Sequence, residues 1–91
     1  MLVARRFVLS GRVQGVGFRW FAEQAARLEG VGGWVKNRAD GAVEIHAEGD
    51  REAVMRFESK VRRGPSGAQV DHVEAIDDLP SGRATGFSIR E

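Results

Sequence analysis

The sequence contains no cysteine, which excludes disulfide bonds, thiolate nucleophiles and cysteine-ligated metal. It has no apolar stretch long enough to span a bilayer, and its N-terminus, MLVARRFVLSG, places arginines inside the apolar run, unlike a secretory signal. No charge dominates, because 14 lysines and arginines face 13 aspartates and glutamates, so the broad basic field typical of nucleic-acid binding is missing. We therefore expect a cytoplasmic protein that binds neither membranes nor nucleic acids.

The length of 91 residues predicts a single domain over residues 1–91. A chain of this size buries only about 60 to 70% of the surface that it exposes when unfolded. We therefore expect a small core, with the parts of any functional site near the surface.

Apolar periodicity divides the chain into five strands and two helices. Strands are predicted over residues 3–10, 34–38, 42–48, 68–76 and 86–90. A first helix is predicted over residues 18–29, and a second from an N-cap at Asp50 to a stop at Gly64-Pro65. The apolar stripe of the first helix comprises Phe18, Phe21, Ala22, Ala25 and Leu28. Val70 and Val73 have opposite parity, which indicates an irregularity in the fourth strand.

The order β-α-β-β-α-β with a short C-terminal strand predicts an α+β, ferredoxin-like sandwich, with two helices on one face of an antiparallel sheet. Right-handed crossovers make the first two strands parallel, with the third between them. At ordinary strand spacing their carboxyl ends then lie roughly 10 Å apart at one edge of the sheet. We expect the segment 11–17 and Asn37 to meet there.

Three glycines separate the first strand from the first helix, in GRVQGVGFR at residues 11–19. Glycine tolerates positive φ and lets backbone amides approach a ligand, and a helix N-terminus favours an anion. Arg19 opposes the helix dipole, which indicates a functional role, and its guanidinium suits two oxygens of one phosphoryl or carboxylate group. The residues alone leave simpler structural interpretations open, because such glycines also mark an ordinary turn and an arginine often forms a surface ion pair.

Asn37 has the parity of Val35, so it is predicted to face the helices at the rim of the sheet. Its carboxamide is both donor and acceptor, and can hold a water molecule for attack on phosphorus. An asparagine beside a hairpin is by default a turn residue, but Asn37 lies well before the turn signal Asp40-Gly41.

Two linked segments, GRVQGVGFRWF and GGWVKNRADGAVEIHAEG, closely resemble the acylphosphatase family, and the likeness continues through RRGPSGAQVDHV to GFSIR. The resemblance covers nearly the whole chain. It implies a small ferredoxin-like hydrolase that cleaves the carboxyl–phosphate bond of acyl phosphates without metal or cofactor. It also implies a small acyl phosphate as the substrate and inorganic phosphate as a product inhibitor, and we expect a monomer.

The resemblance assigns the site residues as well. Matched by position, the catalytic arginine of the family is Arg19 and its catalytic asparagine is Asn37. The phosphate cradle falls on the backbone amides of Gln14, Gly15, Val16, Gly17, Phe18 and Arg19. Some family members end in an arginine and an aromatic residue, whose carboxylate helps to hold the catalytic arginine. This chain ends in Arg90-Glu91, which leaves open whether Glu91 braces Arg19.

Two other functions compete with this interpretation. RNA-recognition domains share the predicted fold, and GFRWF faintly echoes their aromatic signature. That signature belongs on the third strand, which here reads AVEIHAEG and carries glutamates instead of aromatics. The second alternative is a non-catalytic domain that binds a carbamoyl or acyl phosphate without turning it over.

The remaining candidates are weaker. The glycine loop lacks the Walker A lysine and the third glycine of a dinucleotide fingerprint, so ATP and NAD are not expected as ligands. His46 and His72 lack metal-ligand spacing and are expected to be structural or solvent-facing. Phe21 is expected in the core, whereas Trp20 and Trp34 are candidates for the border of an acyl-group pocket.

Overall fold

The structure, a computed structural model, describes residues 1–91 and contains every predicted element. The elements are β1 (Leu2–Arg12), α1 (Phe18–Glu29), β2 (Gly32–Asn37), β3 (Val43–Asp50), α2 (Arg51–Arg63), β4 (Gln69–Asp78) and β5 (Phe87–Arg90). The predicted bounds of the helices are confirmed, and the bounds of the strands differ from the predicted ones by at most two residues at either end, in both directions. Neither helix has the length and apolar character that crossing a membrane requires.

The five strands form one sheet in the order β4-β1-β3-β2-β5. As predicted, β3 lies between β1 and β2 and is antiparallel to both. Val43 of β3 pairs with Leu9 of β1 on one side and with Asn37 of β2 on the other. The carboxyl ends of β1 and β2 therefore meet at one edge, on either side of the start of β3.

The last strand changes the character of the sheet. β5, the predicted short C-terminal strand, pairs in parallel with β2, from Gly33 opposite Phe87 to Lys36 opposite Arg90, which makes the sheet mixed and which the sequence did not predict. The reason is the connection: β4 lies at one edge of the sheet, and residues 79–86 carry the chain to the opposite edge. Consequently β5 runs towards the same edge as the carboxyl end of β2.

The irregularity predicted in β4 is confirmed. Ser10 of β1 pairs with His72, but Gly11 pairs with Val70, so Asp71 is an extra residue and the register shifts by one. Val70 and Val73 both pack against the core as a result.

Both helices cover the same face of the sheet, where Phe7, Ile45 and Phe57 are completely buried in the core. Asp50 caps α2 as predicted, because its side chain accepts a hydrogen bond from the Glu52 amide. The prediction for α1 is wrong at Leu28, which is 76% exposed, and at Phe21, which is half-buried and lies outside the core. The buried face of α1 is formed by Phe18, Ala22, Ala25 and Ala26. Leu28 lies beyond the edge of this face, and the alanines bring the helix close to the sheet.

A carboxylate on the opposite, open face of the sheet holds the connection between β4 and β5. Oε1 of Glu48 accepts hydrogen bonds from the amide and the hydroxyl of Ser81 at 2.9 and 3.0 Å. Oε2 of Glu48 accepts a third from the amide of Gly82 at 2.7 Å. These bonds, led by the one from the Ser81 amide, hold the pKa of Glu48 below its ordinary value of 4.5.

This contact should be lost on acidification. Because the pKa of Glu48 is lower in the folded state, its contribution to stability is present above pH 4.5 and disappears as the pH falls through the lowered pKa. In an NMR titration, the amide proton of Gly82 should shift with a midpoint below 4.5. Glu48→Gln should remove the transition. A midpoint at or above the ordinary value would contradict the contact.

Candidate active site

The loop between β1 and α1 is fixed at both ends and turns outward in the middle. Val13 and Phe18 are buried, and Val16 packs against the core. Between them, Gly15 and Gly17 are exposed with φ of 75° and 77°, in the left-handed region that other residues rarely adopt. Open space surrounds both glycines where a side chain would stand, so their backbone is accessible to a ligand.

The amides of this loop have no acceptor within the protein. The first hydrogen bond of α1 runs from the Phe21 amide to the Gly17 carbonyl at 3.0 Å, and the preceding amides of the loop and first turn donate to no other backbone group. The start of α1 has no capping side chain and no acidic residue, whereas α2 has both. The N-terminus of α1 therefore offers several amides and a positive dipole end to an anion.

Beside this loop lies a cavity of about 280 Å³ that brings the predicted side chains together. It is lined by Val13, Gly15, Gly17, Phe18, Arg19, Trp20, Asn37, Ile89 and Glu91. The start of α1 supplies Arg19, and the end of β2 supplies Asn37. Asn37 pairs with the fully buried Val43, which places its side chain on the helix-facing side of the sheet, as predicted.

Arg19 and Asn37 are half-buried, and neither side chain is engaged elsewhere. The ion pairs and side-chain hydrogen bonds of the chain involve other residues, for example Arg38 with Asp40 at 3.0 Å. Every fully buried side-chain nitrogen or oxygen has a partner, so the unpartnered groups of Arg19 and Asn37 are open to solvent. A guanidinium, a carboxamide and a set of free amides together suit an anion with several acceptor oxygens.

Gln14 has a role that the sequence did not indicate. Its Nε2 donates hydrogen bonds to the carbonyls of Arg38 and Ala42, at 2.8 and 3.0 Å. These carbonyls come together because the hairpin closes through a bond from the Arg38 amide to the Ala42 carbonyl. Gln14 was predicted only as a backbone donor to phosphate. Its side chain connects the glycine loop to the turn between β2 and β3, which begins directly after Asn37.

Replacing Gln14 should therefore loosen the site without removing a group from it. Glutamate has nearly the same shape but cannot donate to the two carbonyls, so we expect Gln14→Glu to lower kcat/KM about tenfold and stability by about 1 to 2 kcal/mol. Thermal unfolding and initial rates measure the two effects. Gln24→Glu, an exposed glutamine on α1, is the control. Equal behaviour of the two variants would contradict the role of Gln14.

The structure answers two expectations about the border of the site. Trp34 does not line the cavity, because strand alternation turns it to the open face of the sheet, so that expectation is wrong. There its ring stacks on His46 with 4.1 Å between ring centres, and the Arg90 guanidinium lies 4.5 Å from the indole. Glu91 lines the cavity but forms neither an ion pair nor a hydrogen bond with Arg19.

No three histidine or carboxylate side chains lie close enough together to share a metal ion. The polar groups around the cavity are mostly donors, which suits an oxyanion. An exposed glycine loop at a helix N-terminus, with an arginine and an asparagine on a ferredoxin-like sandwich, is typical of a small α+β protein that binds an oxyanion such as phosphate.

Comparison with known proteins identifies the family within this class. A sequence model of the acylphosphatase family matches residues 5–89, and the chain belongs to that family. An acylphosphatase of Koribacter versatilis is 47% identical over 85 residues, which cover 93% of this chain and 77% of that one. One of Roseiflexus sp. is 49% identical over 90 residues, 98% of this chain and 97% of that one.

The fold comparison agrees. The crystal structure of acylphosphatase from Bacillus subtilis matches all of both chains with a TM-score of 0.94 and 40% identity, which confirms the ferredoxin-like fold. The reaction of this protein is the hydrolysis of an acyl phosphate to a carboxylate and inorganic phosphate.

Proposed function

We propose that hydrolysis proceeds by direct attack of water on phosphorus without a metal ion, with the phosphoryl group held by Arg19 and the water by Asn37. One observation carries this proposal: both side chains line the same cavity as the glycine loop, and neither is engaged elsewhere in the protein.

Phosphoryl binding falls to the backbone amides of residues 14–19 and the guanidinium of Arg19. Charge on the phosphoryl oxygens must be stabilised in the transition state, and each well-placed donor contributes on the order of 3 kcal/mol. The guanidinium offers two parallel donors in a fixed geometry, so it can hold two oxygens of one phosphoryl group. The positive end of α1 adds to the same effect.

The attacking water is held by the carboxamide of Asn37. As the bond from the water oxygen to phosphorus forms, the bond from phosphorus to the acyl oxygen breaks and the electron pair leaves with the carboxylate. The conjugate acid has a pKa of about 4, so the leaving group needs no proton. The proton lost by the water passes to a phosphoryl oxygen, because no histidine lines the cavity and its one carboxylate residue, Glu91, is exposed.

The proposal also covers inhibition by the product, the oligomeric state and the cellular location of the enzyme. Inorganic phosphate fits the same donors as the substrate phosphoryl group, so it should inhibit competitively. A single copy of the chain brings together every group that the proposal uses, and we propose that the enzyme acts as a monomer. The cysteine-free sequence fits a reducing cytoplasm.

The test is hydrolysis of benzoyl phosphate in water labelled with heavy oxygen and containing EDTA. Attack on phosphorus puts the label into inorganic phosphate and leaves benzoate unlabelled. Label in benzoate would show attack on the carbonyl carbon instead, and loss of activity in EDTA would contradict metal-free chemistry. Calorimetric binding of phosphate without any turnover would favour the alternative of a non-catalytic binding domain.

A further inference from the structure

An exposed indole stands directly beside the phosphate-binding groups. Trp20 follows Arg19 in the first turn of α1 and is 64% exposed, although it lines the cavity. Exposed tryptophan is unusual, because so large an apolar surface is normally covered. No aromatic ring or cation of the protein stacks on Trp20, in contrast to Trp34, which His46 and Arg90 cover. Its face is therefore available to a ligand in the cavity.

The cavity thus has two chemically different parts. Gly15, Gly17 and Arg19 provide polar donors for a phosphoryl group, and Asn37 provides the carboxamide assigned to the attacking water. Trp20 and Ile89 provide apolar surface, and Ile89 is also 37% exposed. β5 supplies Ile89, whose parallel pairing with β2 brings it to the edge where Asn37 lies. A molecule that combines a phosphoryl group with an apolar group matches both parts.

Glu91 makes the cavity unfavourable for a second negative charge on the ligand. Glu91 directly follows β5 in the sequence, is exposed and lines the cavity. It has no cationic partner within the protein. A second negative charge on the ligand, close to this carboxylate, would be repelled. An uncharged apolar group meets no such penalty.

We propose that Trp20 and Ile89 form the binding surface for the acyl group, and that the enzyme prefers acyl phosphates with an aromatic, uncharged acyl group over small aliphatic or carboxylate-bearing ones. This inference rests on the proposed placement of the phosphoryl group against the glycine loop and Arg19. An aromatic acyl group stacks on the indole and covers apolar surface that an acetyl group leaves exposed. The residues that bind phosphate contribute equally to both substrates, so the preference comes from Trp20 and Ile89, and the indole supplies its aromatic part.

The experiment compares benzoyl phosphate with acetyl phosphate in the wild type, Trp20→Ala and Trp20→Phe. We expect Trp20→Ala to lower kcat/KM about tenfold for benzoyl phosphate and less than about twofold for acetyl phosphate. Trp20→Phe should keep most of the preference, because phenylalanine retains an aromatic face. Comparing the ratio of the two substrates between variants cancels their intrinsic difference in reactivity, which is the same for every variant.

Leu28→Ala is the matched control, since Leu28 is another exposed apolar residue of α1 but does not line the cavity. It should leave the ratio unchanged. A second arm uses succinyl phosphate and butyryl phosphate, where Glu91→Gln should improve the relative rate of succinyl phosphate about threefold at low salt.

The inhibition constant of inorganic phosphate separates the two levels of the proposal. If it is unchanged in Trp20→Ala while the substrate ratio falls, the acyl surface is established. An equal loss for both substrates, or an unchanged ratio, would overturn it even if the roles of Arg19 and Asn37 hold. If Trp20→Ala weakens phosphate binding as well, the ratio of benzoyl to acetyl phosphate is compared between Trp20→Phe and a further variant, Trp20→Leu. An equal preference for benzoyl phosphate in these two variants would rule out stacking on an aromatic ring.

Discussion

Lysine in place of Arg19 should remove most of the phosphate affinity, although the positive charge is preserved. The ammonium group is a point charge and cannot hold two oxygens of one phosphoryl group in parallel. No other side chain of the cavity is a cation, so nothing replaces the lost geometry. We expect kcat/KM for benzoyl phosphate to fall on the order of a hundredfold, and the inhibition constant of inorganic phosphate to rise at least about tenfold.

The inhibition constant of inorganic phosphate, measured for the wild type and for Arg19→Lys, reports the loss of phosphate affinity directly. Arg27→Lys is the control on the same helix, because Arg27 is exposed and pairs only with Glu23 at 3.6 Å, away from the cavity. It should leave both constants unchanged. An unaltered inhibition constant in Arg19→Lys would falsify the bidentate role, even if the rate fell.

Asn37→Ala should separate binding from turnover. The carboxamide is assigned to the water and not to the phosphoryl group, so kcat should fall on the order of a hundredfold while phosphate binds as before. Calorimetry with inorganic phosphate and initial rates with benzoyl phosphate measure the two quantities. Lys36→Ala is the control, because Lys36 precedes Asn37 but lies on the open face of the sheet, near Trp34.

A second substitution at this position tests how Asn37 acts. Aspartate keeps the size of asparagine but introduces a group that can accept a proton. If Asn37→Asp were fully active with a new alkaline pH optimum, a role limited to positioning the water would be wrong. If Asn37→Ala instead lost phosphate affinity, the role of Asn37 would be to bind the phosphoryl group and not the water.

The order of elements and the meeting of the two motifs could be predicted because they follow from local rules. Alternation in β3, the Asp50 cap and the Gly64-Pro65 stop each depend on neighbouring residues only. The handedness of the crossovers then places β3 between β1 and β2, which is enough to bring Asn37 to the glycine loop. The prediction of the site therefore needed topology but no side-chain detail.

The features that the sequence did not predict depend on contacts between distant segments. The parallel pairing of β5 depends on where residues 79–86 cross the sheet, and nothing in their composition fixes that path. The bonds of Gln14 require two carbonyls that only the closed hairpin brings together. Periodicity identified the apolar stripe of α1, but packing against the sheet decided that Ala26 is buried and Leu28 is not.

The row formed by Leu9, Val43 and Asn37 also bears on how the protein acquires its activity during folding. The loop and Asn37 are joined through a strand that follows both of them in the chain, and Ile89 arrives from the far end of the sequence. Such distant pairings carry a loop-closure cost and form slowly compared with helices and hairpins. A partly folded chain with both helices and the β2–β3 hairpin in place would still lack a complete cavity. Recovery of turnover after refolding is therefore a stricter measure of the native population than recovery of secondary structure.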